Sequence, residues 1–310
     1  MPKIVSAARR LRHGRWFPLL WLIPVGLLTL GIAVVVARAL RDLPGTQQFL
    51  LDYPGYSALP AGAPVGLPAW LGWQHFINMF LLVFIVRSGL QIRYGANPKL
   101  TRATWTQRRS ADGPPVRLGL LQWWHLNVDA LWLLNGLIFY VVLFATGQWM
   151  RVVPTSWDVI PNAVSAGLQY LSLDWPLESG WSNYNALQLC TYFVTIFVAA
   201  PLAVAAGVRM IPFLTDRLGW FGRMLSLRVA RTIHFAVMIW FVAFTAVHVT
   251  LVLSTGALRN LNHIYTASDD DGWLGLAVFA LSLIAVITAT FATTPTAIKY
   301  IGSLSGSVNR

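Results

Sequence analysis

Six long apolar runs, separated by polar and basic connections, organise this chain. They cover residues 17–38, 70–91, 123–146, 186–208, 229–253 and 273–291, and we number them spans one to six. Each run has the length that an α-helix needs to cross a bilayer. No small-residue cleavage site follows the first run, so we expect a retained helix and not a signal peptide. The pattern predicts an all-α integral membrane protein with six transmembrane helices.

The composition supports this interpretation. The chain is 56% hydrophobic and only 11% charged, whereas a soluble protein carries about a quarter charged residues. Its formal charge of +12 is spread between the apolar runs, so we do not expect nucleic-acid binding. The single cysteine, Cys190, excludes an intramolecular disulfide, covalent haem attachment by CxxCH and an iron–sulfur cluster held by this chain alone.

The basic residues also predict an orientation. The N-terminus, the connections after spans two and four, and the C-terminus carry most of the lysine and arginine, and most carboxylates lie in the other connections. Positive residues are retained on the cytoplasmic side. We therefore expect a bacterial-type plasma (inner) membrane protein with both termini in the cytoplasm. "Inner" and "outer" refer below to this predicted orientation.

Span five carries two histidines, His234 and His248, fourteen residues apart. This spacing is a rise of about 21 Å along a helix, and it returns the second side chain to within roughly 40° of the first. One helix thus presents two imidazoles on nearly one face, at two depths in the membrane. Polar side chains at such depths are usually functional, and two stacked haems would use them.

Each haem then needs a second histidine at matching depth. His75 lies near the outer end of span two, and His125 near the inner end of span three. The predicted pairs are His75 with His248, called the outer pair, and His125 with His234, called the inner pair. Bis-histidine ligation leaves no open position on the iron and suits electron transfer. We expect two non-covalent b-type haems; zinc is disfavoured because its ligands cluster tetrahedrally.

Two further histidines have no partner in this scheme. His13 lies in the basic N-terminal segment and His263 in the connection after span five. We interpret both as solvated or loop residues.

Spans two to five resemble a known family, the di-haem cytochrome b subunits of respiratory formate dehydrogenases and nickel–iron hydrogenases. In that family a four-helix core takes its ligands from the first, second and fourth helices, and the fourth gives two histidines fourteen apart. The resemblance covers residues 70–253 and depends on ligand order and spacing. It implies a di-haem four-helix bundle that passes electrons between a partner redox subunit and the quinone pool. Such a partner would be a molybdenum enzyme, a hydrogenase or an iron–sulfur subunit.

The chain departs from the family pattern by an added helix at each end, residues 17–38 and 273–291. The first of these reverses the core in the membrane. If the core keeps its internal order, the inner haem faces the partner, and quinone chemistry lies near the outer haem.

Charged residues near the histidines are candidates for contacts with haem propionates. They are Arg231, Arg228, Arg117 and Arg87 on the inner side and Arg151 on the outer side. Arg87 and Asp129 fall near the depth of the inner haem. We expect them to pair directly or through a propionate, with proton transfer to a quinone as the alternative for Asp129.

Two other functions stay open. One is a self-contained trans-membrane haem reductase, acting on ferric iron or quinone, which would turn over without a partner subunit. The other is a haem-free transporter or assembly protein, which would be colourless when purified.

Overall fold

The computed structural model describes residues 17–107, 115–175, 180–211, 214 and 219–309. His13 lies outside these residues. In the described part of the chain, six helices are long and apolar enough to cross a membrane. They are α1 (Phe17–Arg41), α3 (Ala69–Tyr94), α5 (Leu120–Ala145), α7 with α8 (Ala186–Phe193, Ala200–Arg209), α10 (Leu227–Ser254) and α12 (Leu274–Ala292). The predicted all-α membrane fold with six spans is confirmed.

Span four is continuous but not uniform. A π-helical turn, Val194–Ala199, joins α7 to α8, and Pro201 is the second residue of α8. Proline has no backbone N–H to donate. The hydroxyl of Tyr140 on α5 donates to the carbonyl of Ile196 in this turn, at 2.5 Å. Span four is thereby held to span three where its backbone hydrogen bonding departs from the α pattern.

Shorter helices occupy the connections. They are α2 (Pro44–Asp52), α4 (Pro98–Thr101), a 3₁₀ turn (Gln148–Arg151), α6 (Val159–Leu171), α9 (Gly219–Met224), α11 (Ala257–Tyr265) and α13 (Pro295–Ser305). The apolar runs of the sequence do not predict α6 and α11, which lie in the connections after spans three and five.

Local sequence explains where several helices begin and end. The Ser226 hydroxyl accepts from the backbone N–H of Val229 and caps the start of α10. Thr294 caps α13 in the same way. Gly95 ends α3 with a φ of 60°, a left-handed conformation that glycine adopts without a Cβ penalty.

The chain divides into two compact units, which we describe separately. The first comprises residues 1–59, 154–179 and 184–191. In it, Arg41 at the end of α1 binds the Ser172 hydroxyl at 2.7 Å and the Asp174 carboxylate at 2.5 Å. The hydroxyl of Ser57 donates to Asp158 at 2.8 Å. Hydrogen bonds from Ser156 and Ser57 lower the pKa of Asp158.

The second unit comprises residues 60–153, 180–183 and 192–310, and it contains all four predicted ligands. A three-stranded antiparallel sheet, in the order β2 (Arg117–Gly119), β1 (Thr104–Gln107) and β3 (Gly306–Asn309), joins the connection before α5 to the C-terminal segment. Trp105 of β1 stacks on Trp123 of α5, with ring centroids 5.9 Å apart. This packing fixes the first turn of α5, and His125 lies in the turn that follows.

Candidate functional site

The four predicted histidines lie in two pairs. The ring centroids of His75 on α3 and His248 on α10 are 6.2 Å apart. Those of His125 on α5 and His234 on α10 are 6.3 Å apart. These are the pairings that the predicted depths gave, and the fourteen-residue spacing puts them about 21 Å apart along α10.

The ring spacing fits a metal ion held between each pair. Two imidazoles that ligate one ion from opposite sides, with metal–nitrogen bonds of about 2 Å, have ring centres roughly 6 Å apart. Within the described residues, no group of three or more His, Cys, Asp or Glu side chains is arranged to hold a metal ion. Each pair brings together two imidazoles, and two imidazoles are a donor set that a haem iron takes from a protein.

Both inner histidines have their Nδ1 atoms engaged. His125 Nδ1 lies 2.7 Å from the Ser88 hydroxyl oxygen of α3. His234 Nδ1 lies 3.2 Å from the Ala203 carbonyl oxygen of α8. A carbonyl can only accept, so His234 carries its proton on Nδ1 and keeps the Nε2 lone pair. A second ring nitrogen bonded to the protein is the usual support of a histidine that ligates a metal.

Glycines occupy the positions beside the inner pair on the two helices that give it no histidine. A Cβ added at Gly89 of α3 would lie 3.4 Å from His125 Cε1, and one at Gly207 of α8 would lie 3.6 Å from His234 Cε1. Gly89 follows His75 by fourteen residues, so α3 carries a histidine at one level and a glycine at the other. A side chain at either position would therefore contact an imidazole of the inner pair.

The outer pair has aromatic surroundings. His248 stacks on Phe244 with centroids 5.5 Å apart and an interplanar angle of 6°, and the ring of Tyr192 meets it edge-on. His75 contacts Tyr265 of α11, whose hydroxyl lies 3.5 Å from His75 Nδ1. Burial raises the pKa of Tyr265 to about 12, so this hydroxyl stays protonated at neutral pH.

Arg87 and Asp129 do not form the direct pair that was one expectation. The Arg87 guanidinium donates to the carbonyls of Thr290 at 2.6 Å and Thr293 at 3.3 Å, at the C-terminal end of α12. Asp129 instead approaches His125, with 3.5 Å between its carboxylate oxygen and Nε2. The free carbonyls at a helix C-terminus attract a cation, which is why Arg87 points to α12.

The arginines expected at the propionates differ in their surroundings. Arg231, Arg228 and Arg117 are exposed. Arg151 is only 1% exposed and donates to the carbonyls of Gly66 and Gly180, both at 2.5 Å. These two bonds hold two loop segments together, and the expected contact of Arg151 with an outer propionate stays a prediction.

Arg93 is a further arginine near the inner pair that was not among the predicted site residues. The Arg93 guanidinium lies over the ring of Phe235, 3.8 Å from its centroid, and Phe235 is adjacent to His234. Arg93 also follows Gly89 by four residues, so both lie on one face of α3. That spacing is a signal available in the sequence, but Arg93 lies just beyond the apolar run 70–91.

His263 is neither solvated nor in a loop. It lies in α11, is buried, and packs against Trp181 in a tilted arrangement with centroids 5.4 Å apart. Its Nε2 is 2.7 Å from the Asp269 carboxylate, which also binds Arg259 at 2.6 Å. The hydrogen bonds from Arg259 and His263 hold the pKa of Asp269 well below its ordinary range. This histidine fixes the connection between α11 and α12.

Fold and site define a multi-pass membrane protein with two stacked histidine pairs. The chain matches no protein-family model and no solved structure. It is similar to a curated protein of Azospira oryzae, the putative protein-methionine-sulfoxide reductase subunit YedZ1. The two are 29% identical over 205 residues, which cover 60% of this chain and 88% of that protein.

Proposed function

We propose that this protein is a di-haem cytochrome b, working as the membrane electron-transfer subunit of a larger oxidoreductase. The observation that carries this is the arrangement of the two histidine pairs at two levels of α10, with centroid separations of 6.2 and 6.3 Å. The subunit would pass electrons between a partner redox subunit and the quinone pool. The two added spans belong to the same membrane domain.

The chain's own residues would hold and orient the haems. His75 and His248 would ligate the outer iron, and His125 and His234 the inner iron. When bound, a bis-histidine haem supplies one-electron transfer without an open coordination position. Gly89 and Gly207 would leave space for the inner macrocycle.

A propionate contact stays a prediction for Arg231, and for Arg87 it is the alternative to a purely structural role in its bonds to Thr290 and Thr293. The stacking of Arg93 on Phe235 supports a third such contact. It holds a cation beside His234, where a haem carboxylate would meet it.

The partner would be a separate catalytic subunit. The similar protein from Azospira oryzae is named a subunit of a putative protein-methionine-sulfoxide reductase, and this favours a reductase partner over a hydrogenase. In the predicted orientation the inner haem would face that partner and the outer haem the quinone. The orientation is tested by tag accessibility: a tag in residues 102–117 that reacts only from outside the cell would contradict it.

Four single substitutions test the haem assignment: His75→Ala, His248→Ala, His125→Ala and His234→Ala. Each should lower the haem content of the purified protein from two per chain to one or none. Where one haem remains, the two variants of one pair should retain the same haem, recognised by its absorption spectrum and its midpoint potential. His13→Ala is the matched control and should keep both haems. Two haems in any of the four variants would contradict the assignment of that residue.

A further inference from the structure

Ser88 of α3 is a buried serine for which the sequence suggested no role. Its residue exposure is 1%, and its hydroxyl oxygen lies 2.7 Å from His125 Nδ1. It is also 2.7 Å from the carbonyl oxygen of Phe84, four residues earlier. The carbonyl oxygen of Ile85 lies at 3.1 Å, so the hydroxyl has two backbone acceptors on its own helix and a ring nitrogen on α5 as neighbours.

The single hydroxyl proton decides which way these bonds run. The helix carbonyls can only accept, so when the serine hydroxyl donates to Phe84, its oxygen lone pair is left to accept a hydrogen bond from His125 Nδ1–H. With the proton on Nδ1, Nε2 has a free lone pair, which is the form that binds a metal.

Asp129 gives this arrangement a competitor. Its carboxylate oxygen is 3.5 Å from His125 Nε2, beyond a good hydrogen bond in the present position. Without an acceptor at Nδ1, a small rotation would let Nε2–H bond to Asp129, and the ligating nitrogen would then be blocked. The tautomer of His234 does not depend on another side chain, because its Nδ1 partner is the backbone carbonyl of Ala203.

We propose that Ser88 is the positioning residue of the inner haem. It fixes the ring orientation and the tautomer of His125, so that Nε2 is the ligating nitrogen. This inference rests on the proposed function, because it concerns the same inner pair.

The test compares Ser88→Ala with a matched serine elsewhere. Ser282 of α12 is also buried and donates to the carbonyl four residues earlier, Val278, at 2.8 Å. Within the described part of the chain it has no hydrogen bond to a histidine, so Ser282→Ala removes the same intrahelical bond without touching either pair. Ser88→Thr restores the hydroxyl, and Ser88→Cys puts a weaker acceptor in nearly the same volume.

Three properties are measured on each purified variant: haem per chain, the midpoint potential of each haem, and the rate of haem loss to apomyoglobin. Loss of a partner at this distance from a metal typically weakens binding by about 10- to 100-fold. We expect Ser88→Ala to release the inner haem at least about tenfold faster and to shift one midpoint potential. Ser88→Cys should shift the same haem by less, and Ser88→Thr and Ser282→Ala should resemble the unmodified protein.

Two negative results are distinguishable. If the unmodified protein binds two haems and both Ser88→Ala and Ser88→Cys leave the potentials and release rates unchanged, the role of Ser88 is refuted and the proposed function stands. If the unmodified protein binds no haem, both are refuted. Should Ser88→Ala not fold, the comparison of Ser88→Cys with Ser88→Thr decides the question.

Discussion

Replacing Arg87 with methionine tests whether its contacts with α12 are structural. Methionine keeps most of the side-chain length and removes the donors to Thr290 and Thr293. A hydrogen bond to a charged group contributes about 1.5–3 kcal/mol, and the bond at 3.3 Å belongs at the low end. A cation at a helix C-terminus adds about 0.3–1 kcal/mol. Burying a methionine costs less free energy than burying a guanidinium, which offsets part of this loss. We therefore expect the free energy of unfolding to fall by about 2–4 kcal/mol.

Thermal unfolding in detergent, followed by tryptophan fluorescence, measures this loss. For a chain of this size the Tm should fall by about 3–6 °C, while the haem content stays at two per chain. Arg87→Lys keeps the charge but loses the second donor group. Its Tm should therefore lie between those of the unmodified protein and Arg87→Met. Arg102→Met, at an exposed arginine, is the control and should leave the Tm unchanged. An unchanged Tm for Arg87→Met together with loss of the inner haem would refute this reasoning and favour the propionate contact.

Three further substitutions extend the test. Gly207→Leu should remove the inner haem and keep the outer one, because its side chain enters the space beside His234; two bound haems would contradict this. Arg151→Met should cost about 3 kcal/mol in thermal unfolding, since two charge-assisted bonds to loop carbonyls are lost; an unchanged Tm would oppose the loop-holding role. Asp269 has a lowered pKa in the folded protein, so its contribution to stability is present above about pH 4 and is lost as the pH falls further. Asp269→Asn should therefore flatten the fall in Tm between pH 7 and 3, and an unaltered slope would argue against it.

The six spans could be predicted from the sequence because hydrophobic length alone identifies a transmembrane helix. The pairing of histidines could be predicted because helix periodicity and alternating orientation give depth without any knowledge of packing. The helices α6 and α11 could not be predicted in this way, because they are short and lie in polar connections where hydrophobic length gives no signal.

Side-chain contacts between helices could not be predicted from the sequence either. The acceptors of Arg87 are backbone carbonyls about 200 positions away in the chain, and every residue type supplies a carbonyl. The contact of Ser88 with His125 depends on the rotation of α3 against α5, which hydropathy does not determine. The burial of His263 depends on Trp181, from a distant connection.

The central claim is most directly tested by the reduced-minus-oxidised visible spectrum of the purified protein, with a pyridine haemochrome count. The account predicts two b-type haems per chain. A protein without haem would show that the two pairs at 6.2 and 6.3 Å serve another purpose, and the electron-transfer proposal would then be abandoned for a haem-free membrane function.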